Sequence, residues 1–375
     1  MKGIAVTGAR VVLPDRVAED VTVHVRGDRI TSLAAGADRG EKIMDAKGKY
    51  LLPGLIDIHT HGRAALPDPE NLPSLLKEDS EDLARTGVSR YLVTFASAPV
   101  PVWLSALDSV SSRRKLETPA ARPLGVHLEG VFINPAAAGA QPPDWIKPFN
   151  RQDRDHLRVF RDYSDLVRMI TFAPEIEGSR DLLRECQEHG VVPAMGHTAA
   201  EPELVHEFAR LGAHHMVHIM NGMKVFHHRD PGPAAAGLVD DRISVEIICD
   251  GYHLHPETIR MVHGLKHLAR RVLITDSVTM DLPGMEKGGP DEPNRMPGGG
   301  FAGSRLRLCR GVKNYMDYTG CGLAEAAAMA SLNPARVLGI DAEFGSLRPG
   351  NKADFYICGD DLVPETMFID GERIF

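Results

Sequence analysis

Seventeen histidines stand in this chain of 375 residues, and the positions of a few of them, together with certain carboxylates, could do metal chemistry. His59 and His61 are separated by one residue. On a β-strand that spacing sends both imidazoles to the same side. Glu129, His197, His218 and Asp276 each follow a short apolar run. Nitrogen and oxygen ligands converging from several strand ends suit zinc, iron, manganese or a similar divalent ion. A lone histidine at a strand end is more often a hydrogen-bonded polar residue. His214, His215, His227 and His228 are read as no more than that.

The elements that position these groups follow from periodicity. Between residues 54 and 342 short apolar strands alternate with amphipathic helical stretches such as Asp181–His189, Pro202–Leu211 and Glu257–Ala269. That alternation means βα units and a parallel sheet. Strands running into His59/His61, Thr94, His127/Glu129, Pro174/Glu175, His197, His218, Asp250 and Asp276 match a (β/α)8 barrel of the triosephosphate-isomerase type, whose active sites lie where the strands end. Long interruptions at Gly62–Ser74 and Pro283–Gly303 would border that mouth, and Gly298–Gly303 within the second reads as a flexible lid segment. Gly298–Gly303 has no following Lys-Ser/Thr and is not a phosphate-binding P-loop.

Both ends are β-rich. Val21–Val25 alternates apolar and polar, Ala353–Cys358 reads as a strand, and Asp370-Gly371 is a hairpin turn signal. Residues 1–53 with 343–375 are therefore expected to pair as a small β-sandwich beside a barrel over 54–342. Lys plus Arg number 43 against 51 Asp plus Glu, a formal charge of −8, which argues against a nucleic-acid partner. No apolar run is long enough to span a membrane. Five scattered cysteines without C-x-x-C spacing and a start lacking an apolar leader point to the cytoplasm.

The stretch Pro53-Gly54-Leu55-Ile56-Asp57-Ile58-His59-Thr60-His61-Gly62 resembles the first metal-binding strand of the amidohydrolase superfamily. Further stretches are similar to the N-acetylglucosamine-6-phosphate deacetylase family: Gly125–Gly130, Thr171–Glu175, Gly196–Thr198, His218–Met223, His227–Gly232, Asp250–His253, Thr275-Asp276 and Ser331–Arg336. The resemblance implies that Glu129, His197 and His218 are metal ligands, with His59 and His61 adding to them, so that one or two divalent ions are held. Zinc is the leading ion, with iron, manganese or cobalt as others. It implies that Asp276 is both a ligand and the catalytic proton carrier. It places Asn221 and Arg229 on a sugar phosphate and His253 on the substrate, and it implies a homodimer. The expected reaction is hydrolysis of the N-acetyl amide of an amino-sugar phosphate, first N-acetylglucosamine 6-phosphate.

The chain also departs from the family. Gly62–Pro69 lacks the usual glycines, and Arg63 there could meet an anion or simply be solvated. Gln141 stands where many members carry a histidine near the substrate, so it is assigned to substrate binding; an amide hydrogen-bonds but carries no proton. These changes keep a second substrate open, a different N-acyl hexosamine with or without phosphate. A catalytically silent scaffold is a third reading, which retention of every matched ligand disfavours.

Overall fold

The computed structural model describes residues 3–111, 118–282, 284–297 and 299–375. Its centre is a sheet of parallel strands: β1 (Leu55–Thr60), β2 (Val88–Phe95), β3 (Arg122–Glu129), β4 (Val167–Phe172), β5 (Val192–Met195), β6 (His215–Met216), β7 (Ser244–Ile248) and β8 (Arg271–Ile274). They neighbour one another in chain order through every parallel pairing from β1 to β8. The seam between β8 and β1 closes at the carboxyl end. There Asp276 N–H donates to His59 O at 2.9 Å, and His61 and Gly62 N–H both donate to Ser277 O, at 2.9 and 2.8 Å. The expected barrel is borne out.

Strand alternation divides the labour. On β3, Val126 and Leu128 pack outward into the helix-covered core, while His127 and Glu129 point into the barrel, where His127 meets Thr171 and Thr94 and Glu129 meets the other site histidines. Helices form where caps and punctuation allow. The Asp153 carboxylate accepts from the backbone of Asp155 and His156 to start Arg154–Arg161. Pro202 opens Pro202–Arg210 at the position that needs no donor. Gly190, at φ 67°, ends Ser179–His189. The expected helix Glu257–Ala269 is two pieces, Pro256–Leu265 and a 3₁₀ turn at Leu268–Arg270.

The termini build two sheets. Tyr50–Pro53 from the N-terminal part pairs antiparallel with Phe355–Cys358 from the C-terminal part. Val6, Val11, Val23, Leu51, Phe355 and Phe368 share the core between the sheets. Pro364–Ile369 and Glu372–Arg373 form the hairpin about Asp370 and Gly371, both at positive φ as a type I′ turn requires. Arg90 of β2 ties barrel to sandwich: its guanidinium donates to Asp354 at 2.7 and 3.1 Å and to Asp370 at 2.6 Å. The interruption after β8 carries an antiparallel pair, Pro293–Arg295 with Phe301–Ser304, so part of the Gly298–Gly303 segment is a strand; Pro283 and Gly298 lie outside the described residues. No helix among the described residues is long and apolar enough to cross a membrane.

Candidate metal centre

Glu129 at the end of β3 is the hub. Its Oε1 lies 3.2 Å from His59 Nε2, 3.2 Å from His197 Nε2 and 2.8 Å from His218 Nε2. Its Oε2 lies 3.1 Å from His61 Nε2. Asp276 completes the group, with Oδ1 3.2 Å from His61 Nε2 and 3.6 Å from His59 Nε2. Two sets of atoms sit close enough to share an ion each: His59, His61 and Asp276, and His59, Glu129 and His218.

His197, His218 and Asp276 do not sit on strands as the sequence suggests. Each stands two residues beyond its strand, with φ of 46°, 25° and 48°. Non-glycine residues rarely adopt this left-handed backbone, and functional sites are where such strain collects. It lets a loop residue turn back over the barrel mouth. Gly222 matches this crowding, since a Cβ there would lie 2.7 Å from His197 Nδ1.

The other ring nitrogens are all held by acceptors. His59 Nδ1–H donates to Glu246 Oε2 (2.8 Å), His61 to Thr94 O (3.1 Å), His197 to Ala137 O (2.9 Å) and His218 to Asn221 O (3.2 Å). An imidazole whose Nδ1 carries its proton presents a lone pair at Nε2. With neutral rings, lone pairs would face carboxylate oxygens, acceptor against acceptor. The arrangement needs positive charge between them. His59 Nε2 is fully buried with no hydrogen-bond partner. This donor set therefore fits a divalent cation. Protons would otherwise supply the charge: burial opposes protonation of His61, but hydrogen bonds from its ring to Asp276 and Glu129 push its pKa up to about 9. Burial likewise opposes ionisation of Glu129, yet the neighbouring His59, His197 and His218 hold its pKa well below the usual range.

Beneath lies a polar layer to which the sequence reading gave no part. Glu246 of β7 accepts from His59 Nδ1 and from His215 Nε2 (2.9 Å). His127 Nε2 meets Thr171 Oγ1 at 2.8 Å, and its ring centre is 4.6 Å from that of His59. Burial, then the charge of His59, pushes the His127 pKa well below its ordinary value, so that ring is neutral. Asp57, fully buried, is pushed up to about 7 by burial against the hydrogen bonds from Thr275 and the His59 backbone. A signal was present for two of these. Asp57 alternates with His59 and His61, and Glu246 is a lone carboxylate within the apolar run Ser244–Ile248. His215 is a hydrogen-bonded core residue as expected, but it serves the site through Glu246.

Above the hub opens a cavity of about 590 Å³. Asn221 and His253 line its wall, as do Leu282, Met296 and Phe301. His253 is fixed by Asp250, whose carboxylate accepts from its Nδ1 at 2.6 Å, and its ring lies 5.0 Å from Phe301. Arg229 is not in this lining; it is exposed and its Nη1 donates to the His228 ring at 3.1 Å. Arg63 turns away as well, into ion pairs with Glu78, Asp79 and Asp82. Gln141 lines the cavity, but its amide faces Glu129, with Nε2 donating to Oε2 at 2.7 Å.

A barrel with histidines and carboxylates converging at its carboxyl mouth, carried beside a sandwich of both termini, defines a class of metal-dependent hydrolases. The description of the amidohydrolase family matches residues 50–374, and the chain belongs to that family. Among curated relatives it is 34% identical to N-acetylgalactosamine-6-phosphate deacetylase of Escherichia coli O157:H7, covering 88% of this chain and 89% of that protein. It is 30% identical to N-acetylglucosamine-6-phosphate deacetylase of Bacillus subtilis (strain 168), over 94% and 92% of the two. Among solved structures, N-acetylglucosamine-6-phosphate deacetylase from Thermotoga maritima superposes with a TM-score of 0.84 at 31% identity, covering 99% of each chain. The resemblance read from the motifs is borne out at the level of the family.

Proposed function

We propose that this protein is a metal-dependent deacetylase that hydrolyses the acetamide of an N-acetylhexosamine 6-phosphate, with N-acetylglucosamine 6-phosphate as first substrate. One observation carries the reading: imidazole Nε2 atoms, on rings whose Nδ1 is held by an acceptor, meet Glu129 and Asp276 at an open cavity. His59, His61, Glu129, His197, His218 and Asp276 would hold one or two ions, zinc in preference to iron, manganese or cobalt. An ion held there would supply polarisation of a carbonyl and would lower the pKa of water from about 15.7 to about 7.

The chain's own groups do the rest. Asp276 Oδ takes a proton from the attacking water as the new C–O bond forms at the acetyl carbon. It returns that proton to the amide nitrogen as the C–N bond breaks, since an amine leaves badly as an anion. Acetate and the amino-sugar phosphate result. His253 and Asn221 orient the sugar from the wall. Met296 and Phe301 add apolar surface to the cavity lining, which limits entry of bulk water.

The lining carries no Lys or Arg among the described residues. The exposed loop holding Val225, Phe226 and Arg229 supports a homodimer in which this loop of one copy serves the phosphate in the other. The unpaired cysteines support a cytoplasmic setting. Residues 1–53 with 343–375 act as the sandwich unit and 54–342 as the catalytic unit.

A second hexosamine is a genuine alternative, because one relative at 34% identity is named for the galactosamine isomer. Amine release from N-acetylglucosamine 6-phosphate, N-acetylgalactosamine 6-phosphate and unphosphorylated N-acetylglucosamine, measured side by side with zinc-loaded protein, decides between them. Strong turnover of one phosphorylated sugar is expected. If the unphosphorylated sugar is turned over equally well, phosphate is not being read.

A further inference from the structure

We infer that Gln141 is a positioning residue for the metal-binding carboxylate rather than a contact for the substrate; this rests on the metal reading above. Both ends of its amide are already engaged. Ser97 N–H donates to Gln141 Oε1 at 2.7 Å, and Gln141 Nε2 donates to Glu129 Oε2 at 2.7 Å. The first bond fixes which end of the amide is oxygen, so the NH2 must face the carboxylate. The residue is 8% exposed, although it borders the cavity.

The neighbourhood is built around this strut. Ser97, just after β2, donates its backbone N–H to Gln141, while its hydroxyl accepts from Val131 N–H at 3.1 Å. Gly130, at φ 123°, permits that approach, since a Cβ there would lie 1.8 Å from Ser97 Oγ. The Asn134 side chain caps the next turn at Ala136 N–H and donates to Glu175. That turn delivers Ala137 O to His197 Nδ1 and, through the Gln141 N–H to Ala138 O bond, Gln141 to Glu129. One short segment therefore orients two of the groups proposed to hold the ion.

A carboxylate shared by several ligand contacts is sensitive to rotation about its last bond. Without Gln141, Oε2 is left with His61 alone, at 3.1 Å. A neutral donor at that oxygen holds the plane of the carboxylate without competing for the ion as a charged group would. Outer-sphere partners of this kind typically contribute about 10–100-fold to metal affinity or activity.

The test uses the whole enzyme with Gln141→Met, Gln141→Ala and Gln141→Glu. Methionine keeps the volume and removes the donor. Glutamate keeps the shape and sets a second carboxylate against Glu129. Apo-protein is titrated with zinc alone against a competing chelator, and kcat and KM are measured at saturating zinc. Melting of the apo-proteins shows whether each variant keeps its fold. The expected result is that Gln141→Met and Gln141→Ala lose about tenfold or more in zinc affinity with KM unchanged, and Gln141→Glu loses more. A rise in KM at unchanged zinc affinity would make Gln141 a substrate contact and overturn the inference, as would parent-like behaviour on both counts. If the parent enzyme itself binds no zinc, the metal reading falls first and the inference falls with it.

Discussion

Glu246 offers the sharpest test of how the site is held. Its Oε2 accepts His59 Nδ1–H at 2.8 Å and His218 backbone N–H at 3.2 Å, and its Oε1 accepts His215 Nε2–H at 2.9 Å. All three partners are donors, and Glu246 and His59 are completely buried. In Glu246→Gln one end becomes an NH2 group. That group cannot face His59 without forcing its proton onto Nε2, the nitrogen aimed at Glu129 and Asp276. It can face His215, whose Nδ1 is buried and without a partner, so this ring can carry its proton there instead. The amide therefore keeps its oxygen on His59, loses the charge and leaves the His215 proton on an unpartnered buried Nδ1. Charge-assisted bonds are about twice as strong as neutral ones. We expect zinc affinity to fall by about tenfold, or about 1.4 kcal/mol, in Glu246→Gln. In Glu246→Met, where no acceptor remains, the fall should approach 100-fold, about 2.7 kcal/mol. The assay is competition titration of apo-protein with zinc, with apo-protein melting to follow the fold. Unchanged affinity in both variants would refute the view that Glu246 fixes the His59 proton on Nδ1.

Asp276→Asn should lower kcat by about 10²–10⁴-fold while the protein still retains metal by elemental analysis, and turnover within a few-fold of the parent would contradict its proton-carrying role. Lys266 gives a pH test remote from the site. Its ammonium donates to Gly237 O and Asp240 O at 2.7 and 2.6 Å, yet burial pushes its pKa down to about 8. The unfolded chain holds that proton to about 10.4, so between these values it binds more protons than the folded one and stability rises with pH. The rise between pH 8 and 10, followed by denaturant unfolding, should be smaller in Lys266→Met; an identical slope would show that Lys266 is not its source.

Much of this architecture was legible because its determinants are local. Alternation of apolar residues and the His59-x-His61 spacing operate over a few residues, and each strand declares its inward face by a period of two. Hence the barrel, the pairing of the termini and the inward facing of His59, His61 and Glu129 follow from the chain read in order, whereas His197, His218 and Asp276, legible as strand-end residues, are turned into the site by left-handed backbone two residues beyond their strands. The Asp370-Gly371 turn is local in the same way, because only its own backbone must accept positive φ.

What the tertiary structure decided is where side chains point once the strands end. Arg63 could meet an anion by its sequence context, but the helix Leu72–Arg85 brings Glu78, Asp79 and Asp82 against it. Arg229 falls outside the cavity because its loop projects into solvent. Gln141 faces Glu129 because Ser97, just beyond the end of β2, claims its oxygen. Glu246 and His215 join the site through a ring 187 residues from Glu246 in sequence, His59. Closure of the barrel makes them neighbours: adjacent strands fix distances that no local pattern encodes, and a buried polar group must find its partner across that closed interior or remain unsatisfied.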